Sequence, residues 1–155
     1  GSPEKTEKAT SLGASTVINY REKDFLETIL EKTDGAGVDV ILDVVGAPYW
    51  ERNLKALSIG GRLILVGSLG GGTLETNLGL LSPKRLRVHG TVLRARPLEE
   101  KILLTKQIKK YVLPMIIGGQ IKPVVDKVFD LRDVAAAHRY LEENRNFGKV
   151  VLSVE

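Results

Sequence analysis

The chain shows two kinds of hydrophobic pattern, namely short continuous apolar runs and apolar stripes of helical period. Residues 38–45 and 62–66 are mostly apolar and β-branched, which is typical of strands buried on both faces of a parallel sheet. Between such runs lie stretches with an apolar stripe of helical period, such as residues 22–33. The pattern predicts strands at 16–20, 38–45, 62–66, 85–92, 124–129 and 149–154. It predicts helices at 3–12, 22–33, 48–58, 97–118 and 133–143.

Strands that alternate with helices predict right-handed crossovers and a doubly wound α/β sheet. A turn is expected at Gly60-Gly61, and a kink at Pro114 in the long helix. The first predicted element is a helix, whereas a nucleotide-binding fold of this class opens with a strand. The Gly-x-Gly-x-x-Gly turn that would follow such a strand is also absent. The sequence therefore resembles a piece of a larger domain.

Composition narrows the class of protein. The 155 residues, 43% apolar and 27% charged, fit one ordinary globular domain. No apolar run reaches the roughly 18 residues of a membrane span, and no leader segment points to secretion. The absence of Cys excludes disulfides and fits a cytoplasmic protein. The net charge of +4 is spread over 23 basic and 19 acidic residues, so it is weak evidence for nucleic-acid binding and compatible with a phosphate-bearing ligand.

Eight short strings occur in the order and spacing of one known family. They are residues 1–5, 12–14, 17–20, 35–39, 43–46, 60–62, 93–96 and 147–150. With them the chain resembles the C-terminal half of the medium-chain dehydrogenase/reductase superfamily, in particular its zinc-independent quinone oxidoreductase branch. The resemblance implies an incomplete Rossmann-like doubly wound parallel sheet. Residues 1–121 would form the dinucleotide-binding domain without its first two strands, and residues 122–155 would return to the catalytic domain.

By the same resemblance the cofactor is NADPH and the parent protein transfers hydride to a quinone or enone. Ser2 and Lys5 lie where NAD-preferring folds place an acidic residue for the ribose 2′-hydroxyl. In the family the matching Lys binds the 2′-phosphate of NADPH and the residue matching Tyr20 contacts the same end. A solvated helix lysine and an edge tyrosine are the alternative interpretation.

Further candidate cofactor residues follow the predicted core strands. Asp43 and Gly46 end one strand, where ligands bind in open α/β sheets. Gly46 would allow a ligand close to the backbone, while Asp43 would equally well cap the next helix. The other candidates from the resemblance are Val66, Gly67, Ser68, Leu93, Arg94 and Asn144. The alternative for the Gly-rich run is a mobile loop, and the alternative for Arg94 is a solvated loop cation. Asn144 would in that case only cap the end of a helix.

No residue is expected to act as a catalytic acid or base. His89 and His138 have no paired nucleophile or carboxylate pattern, and the sequence offers no metal-ligand constellation. The resemblance further implies a homodimer in which residues 85–92 of two copies pair as edge strands. The alternatives are an inactive fragment that serves only in assembly, and part of an enoyl reductase or alcohol dehydrogenase.

Overall fold

The computed structural model describes residues 1–154. It separates into two compact units, Gly1–Arg96 and a second that begins at Pro97. The boundary predicted after residue 121 is of another kind, because it marks where the chain would return to a catalytic domain. That boundary stays a prediction.

The first unit is a three-stranded parallel sheet with helices. In chain order its elements are α1 (Pro3–Ser11), α2 (Phe25–Lys32), β1 (Val38–Asp43), α3 (Trp50–Ala56), β2 (Leu57–Leu65) and β3 (Arg87–Gly90). The strand order is β1-β2-β3. Leu54, Leu57 and Leu63 are fully buried and form the core of this unit. The predicted fold class, a Rossmann-like α/β arrangement with parallel strands, is confirmed.

The second unit pairs two further strands in a separate sheet. Its elements are α4 (Leu98–Gln107), α5 (Leu113–Ile117), β4 (Val125–Asp130), α6 (Val134–Glu142) and β5 (Lys149–Ser153), with β4 parallel to β5. A π-helical turn at Ile108–Val112 separates α4 from α5. Pro114 follows it, and because a proline has no N–H to donate, the regular hydrogen-bond ladder changes where the kink was expected.

One predicted strand is wrong, and a helix end and a turn differ from the prediction. Residues 16–20, predicted as a strand, form neither helix nor strand, because a β-rich sequence becomes a strand only when a neighbouring strand pairs with it. The helix predicted to reach residue 58 ends at Ala56, and β2 begins at once. The predicted turn at Gly60-Gly61 lies inside β2, where the pairing shifts: Val38 faces Leu57 but Val40 faces Arg62.

The side chain of Lys84 explains the early end of α3. Its Nζ donates to the carbonyl oxygens of Lys55 at 2.7 Å and Leu57 at 2.6 Å. A cation at the negative end of a helix stabilises that end, and here it also satisfies carbonyls that the helix leaves unpaired.

Candidate functional site

A cleft lies over the carboxyl ends of the three parallel strands of the first unit. Its volume is about 470 Å³. The lining residues are the last residues of β2 and β3 and members of the segments that follow β1, β2 and β3: Gly46, Ala47, Trp50, Leu65, Val66, Gly67, Ser68, Gly71, Gly72, Leu74, Gly90, Thr91 and Val92. Four of the predicted residues, Gly46, Val66, Gly67 and Ser68, are therefore brought together at the edge of the sheet where such folds bind ligands.

The turn after β1 is organised by the carboxylate of Asp43, which is only 4% exposed. Its Oδ1 accepts from the Val45 N–H at 2.7 Å, and the Gly46 N–H lies 3.2 Å from both oxygens. Its Oδ2 also accepts from Nδ2 of Asn53, at 3.1 Å. Both oxygens are thus used by the chain itself, so Asp43 acts on the cleft by fixing the turn.

Gly46 is required for a reason that the sequence did not reveal. Its φ is +87°, and a Cβ built on it would lie 2.6 Å from the carbonyl oxygen of Gly71 and 3.0 Å from Cα of Ser68. The Ala47 N–H donates to the same Gly71 oxygen at 2.9 Å. The close approach that glycine permits is therefore that of the Gly-rich segment of this chain.

The Gly-rich segment after β2 is hydrogen-bonded to the turn after β1. The Leu69 N–H donates to the Val44 carbonyl at 3.0 Å and the Gly70 N–H donates to the Val45 carbonyl at 2.8 Å. These bonds extend the contact of β1 and β2 beyond the sheet. The segment therefore forms a defined wall of the cleft, in contrast to the mobile loop that the glycine run alone could indicate.

The third side of the cleft follows β3. The Thr91 N–H donates to the Leu65 carbonyl at 2.9 Å, and Arg96 Nη2 donates to Oγ1 of Thr91 at 3.1 Å. Leu93 and Arg94 come directly after the lining residue Val92 but are not among the lining residues.

Sequence reasoning missed Trp50 as a lining residue. Its indole N–H donates to Oγ1 of Thr76 at 2.7 Å. Trp50 lies on α3, and no local sequence pattern distinguishes an apolar core residue from one at the rim of a cleft.

The start of α1 brings Ser2, Lys5 and Tyr20 together. Ser2 caps α1, its Oγ accepting from the Lys5 N–H at 3.3 Å. A Cβ built on Gly1 would lie 2.9 Å from Cζ of Tyr20 and 3.0 Å from Cγ of Arg21. Burial lowers the pKa of the Gly1 amino group, and the positive charges of Arg21 and Lys5 lower it further. The positive charges of Arg21 and Lys5 therefore both act on the start of α1.

An apolar hollow of about 290 Å³ connects Tyr20 with the turn after β1. Its lining includes Tyr20, Phe25, Asp43, Val45 and Tyr49. Tyr20 is 51% exposed, so its ring faces both this hollow and solvent. The predicted residues Tyr20 and Asp43 thus border the same space.

Asn144 lies in the second unit, at the end of α6. It has a φ of +53°, and its N–H donates to the Leu141 carbonyl at 2.9 Å. Asparagine is one of the few residues that adopt this conformation at low cost. The backbone geometry of Asn144 is therefore that of a residue that ends a helix.

Two kinds of feature are absent from residues 1–154. No group of three or more His, Cys, Asp or Glu side chains is arranged to hold a metal ion there. None of the helices in the same residues combines the length and apolar character needed to cross a membrane.

Comparison with known proteins agrees with this geometry. Residues 12–152 match the model of the zinc-binding dehydrogenase family. Quinone oxidoreductase 1 of Escherichia coli is 32% identical, the match covering 98% of this chain and 47% of the relative. The crystal structure of Escherichia coli quinone oxidoreductase complexed with NADPH superimposes with a TM-score of 0.85 at 32% identity, over 99% of this chain and 48% of that one. A structure of an NAD-dependent alcohol dehydrogenase has a TM-score of 0.83 at 32% identity, over 100% of this chain and 42% of its own.

The chain thus spans about half the length of the curated quinone oxidoreductase that it matches. The family match covers nearly all of the sequence, and the same region carries the cleft over the parallel strands. The protein is accordingly a member of the zinc-binding dehydrogenase family, within the medium-chain dehydrogenase/reductase superfamily.

Proposed function

We propose that this chain is the C-terminal, cofactor-binding part of an NADPH-dependent oxidoreductase that reduces a quinone or an enone. The observation that carries the proposal is the cleft at the carboxyl ends of β1, β2 and β3. NADPH, when bound, supplies the hydride for such a reaction. The residues of this chain bind and orient it, and none of them needs to act as an acid or base.

The cleft suits the nicotinamide half of the cofactor. It is mainly apolar and is bordered by glycines and by the Ser68 hydroxyl. Hydrogen bonds from the Gly-rich segment to the Val44 and Val45 carbonyls hold one wall, so little ordering is required on binding. Leu93 and Arg94, next to the lining residue Val92, are proposed to extend this contact. Asn144 stays a candidate cofactor residue on the strength of the family resemblance alone.

The start of α1 suits the adenosine half of the cofactor. Lys5 is proposed to pair with the 2′-phosphate, Ser2 to hold Lys5 in place through the α1 cap, and Tyr20 to contact the adenosine. The clustering of positive charge near Gly1 supports this assignment, since a phosphate needs charge-assisted donors where an unmodified ribose needs an acceptor.

We also propose a homodimer in which two copies of β3 pair. All four residues of β3 are exposed, and β2 occupies only one of its two edges. An exposed edge strand presents unpaired backbone donors and acceptors to a second chain. Val88 is 37% exposed and Val92 is 56% exposed, which provides apolar side chains for the seam.

A second candidate function is that of an alcohol dehydrogenase, which the similar NAD-dependent alcohol dehydrogenase structure favours. Cofactor choice separates the two, because Lys5 in place of an acidic residue favours NADPH. Titrating the purified chain with NADPH and NADH, followed by quenching of Trp50 fluorescence, tests the proposal. We expect saturable binding with preference for NADPH. Preference for NADH would instead support the second candidate, and failure to bind either would refute a cofactor-binding function.

A further inference from the structure

The turn that follows Tyr20 carries a cation that the sequence analysis did not single out. The Asn19 side chain organises this turn: its Oδ1 accepts from the Arg21 N–H at 3.2 Å and its Nδ2 donates to Glu22 at 2.6 Å. The Asn19 carbonyl also accepts from the N–H groups of Glu22 and Lys23, both at 3.0 Å. The backbone of Arg21 is therefore fixed, and Glu22 is engaged by an uncharged partner.

Arg21 lies against the start of α1. Its Cγ is 3.0 Å from the position that a Cβ on Gly1 would occupy, next to the ring of Tyr20. Arg21 also lines a polar hollow of about 260 Å³, whose other lining residues are Tyr20, Glu22, Lys23, Asp24, Phe25 and Arg52. The Arg21 side chain thus passes beside Gly1, the residue that precedes the α1 cap Ser2.

Arg52, the other guanidinium in this hollow, is engaged within the fold. It contacts Asp24 at 3.3 Å and donates to the Pro48 carbonyl at 3.4 Å. Its Cζ lies 5.2 Å from the ring centre of Phe25 and 4.7 Å from that of Tyr49. By contrast, the guanidinium of Arg21 forms no ion pair within residues 1–154.

The electrostatic effect of Arg21 is directed at the start of α1. Its positive charge lowers the pKa of the Gly1 amino group, after desolvation and ahead of Lys5. Two cations, Arg21 and Lys5, thus act on the start of α1, and the N-terminal end of that helix also favours an anion. The nearby carboxylates Glu22 and Asp24 are engaged by Asn19 and Arg52 respectively.

We infer that Arg21 is a specificity-determining residue that binds the ribose 2′-phosphate of NADPH together with Lys5. This inference rests on the proposed function. Lysine supplies a point charge, whereas the planar guanidinium supplies two parallel N–H donors that match phosphate oxygens. NADH presents a hydroxyl group at that position and gains nothing comparable from a second cation.

The experiment compares Arg21→Gln with Lys23→Gln in the full chain. Lys23 is the matched control because it lines the same polar hollow two residues away. The probes are NADPH and NADH, and the isolated adenosine 2′,5′-bisphosphate against AMP. Circular dichroism melting curves establish that both variants are folded.

We expect Arg21→Gln to weaken NADPH and adenosine 2′,5′-bisphosphate about tenfold, the effect of one charge-assisted interaction. NADH and AMP should change less than about twofold, and Lys23→Gln should leave all four ligands nearly unchanged. Equal loss for NADPH and NADH would overturn the inference, since Arg21 would then only shape the turn. If Arg21→Gln and Lys23→Gln weakened NADPH binding equally, the inference would be overturned as well, because the affinity would then depend on the general positive charge of the region and not on a contact made by Arg21.

The two levels of proposal fail in different ways. If the unmodified chain binds NADPH and Arg21→Gln leaves that binding unchanged, the role of Arg21 is refuted while the proposed function stands. If the unmodified chain binds none of the four ligands, the proposed function is refuted and the inference with it.

Discussion

Exchanging the buried pair of Asp43 and Asn53 tests whether this pair determines the shape of the cleft. Asp43→Asn replaces one carboxylate oxygen by an NH₂ group. The Val45 and Gly46 N–H groups then donate to a neutral amide oxygen, and the new NH₂ group faces Asn53 Nδ2 in the present orientation of the Asn53 amide. A hydrogen bond to a buried charged group contributes about 1.5–3 kcal/mol. We therefore expect the free energy of unfolding to fall by about 2 kcal/mol.

The complementary change, Asn53→Asp, is expected to cost at least as much. It places a second carboxylate beside the first in a site where both residues are 4% exposed, and like charges at that separation oppose ionisation of both. Combining the two changes restores one donor opposite one acceptor. The double variant should therefore recover at least about 1 kcal/mol relative to the sum of the single losses.

Urea unfolding followed by Trp50 fluorescence measures these differences. Trp50 is the only tryptophan and lies in the same unit, on α3 beside Asn53. NADPH titration of the same variants should show weaker binding for Asp43→Asn and recovery in the double variant, because the turn holds the Gly-rich wall. Asp39→Asn, on the exposed part of β1, is the matched control and should change stability by less than about 0.5 kcal/mol. Losses that simply add in the double variant would refute the reasoning.

Three other predictions address the phosphate, the reaction and the assembly, and a fourth addresses pH. Lys5→Ala should reduce the NADPH preference about ten- to hundredfold with NADH binding unchanged, and a preference that survives the change would remove Lys5 from the site. The isolated 155-residue chain should show no steady NADPH oxidation with a quinone, because a substrate-binding wall supplied elsewhere would be needed to hold the reacting groups; turnover by a pure sample would contradict this. Light scattering at micromolar concentration should show at least a dimer, and Val88→Lys should weaken it, whereas a dimer indifferent to this change would exclude the β3 interface. The pKa of Asp24 is held below its usual 3.8, first by the Leu26 N–H and then by Arg52. The stabilisation that depends on its ionisation is present above pH 3.8 and lost as the pH falls through the lowered value. The stability difference between wild type and Asp24→Ala should accordingly shrink in acid, and a difference that does not change with pH would contradict this.

Apart from the strand predicted at residues 16–20, the sequence by itself determined the kind of the main elements and their order. The apolar, β-branched runs at residues 38–45 and 62–66 predicted β1 and part of β2 from their composition. The expected burial on both faces is wrong for β1, where Val40 is 45% and Leu42 is 72% exposed. Ser2, Asp24 and Pro3 mark helix starts through local hydrogen bonds and a fixed φ. Such signals depend on neighbours within a few residues, so they can be read without the fold. The location of Gly46 at the ligand-binding edge followed from the rule that ligands bind beyond the carboxyl ends of the strands, whereas Val66, Gly67 and Ser68 were implied by the family resemblance.

Tertiary structure decided how residues distant in sequence meet, which no local pattern encodes. The segment at residues 16–19 has the composition of a strand but lacks a paired neighbour, and β4 and β5 form their own sheet. Whether a strand forms depends on hydrogen-bond partners elsewhere in the chain. Only the fold shows that Gly46 makes room for Gly71, that Asn53 reaches Asp43, and that Arg21 lies beside Gly1. These contacts join residues on different elements, and close packing leaves each of them a single geometry.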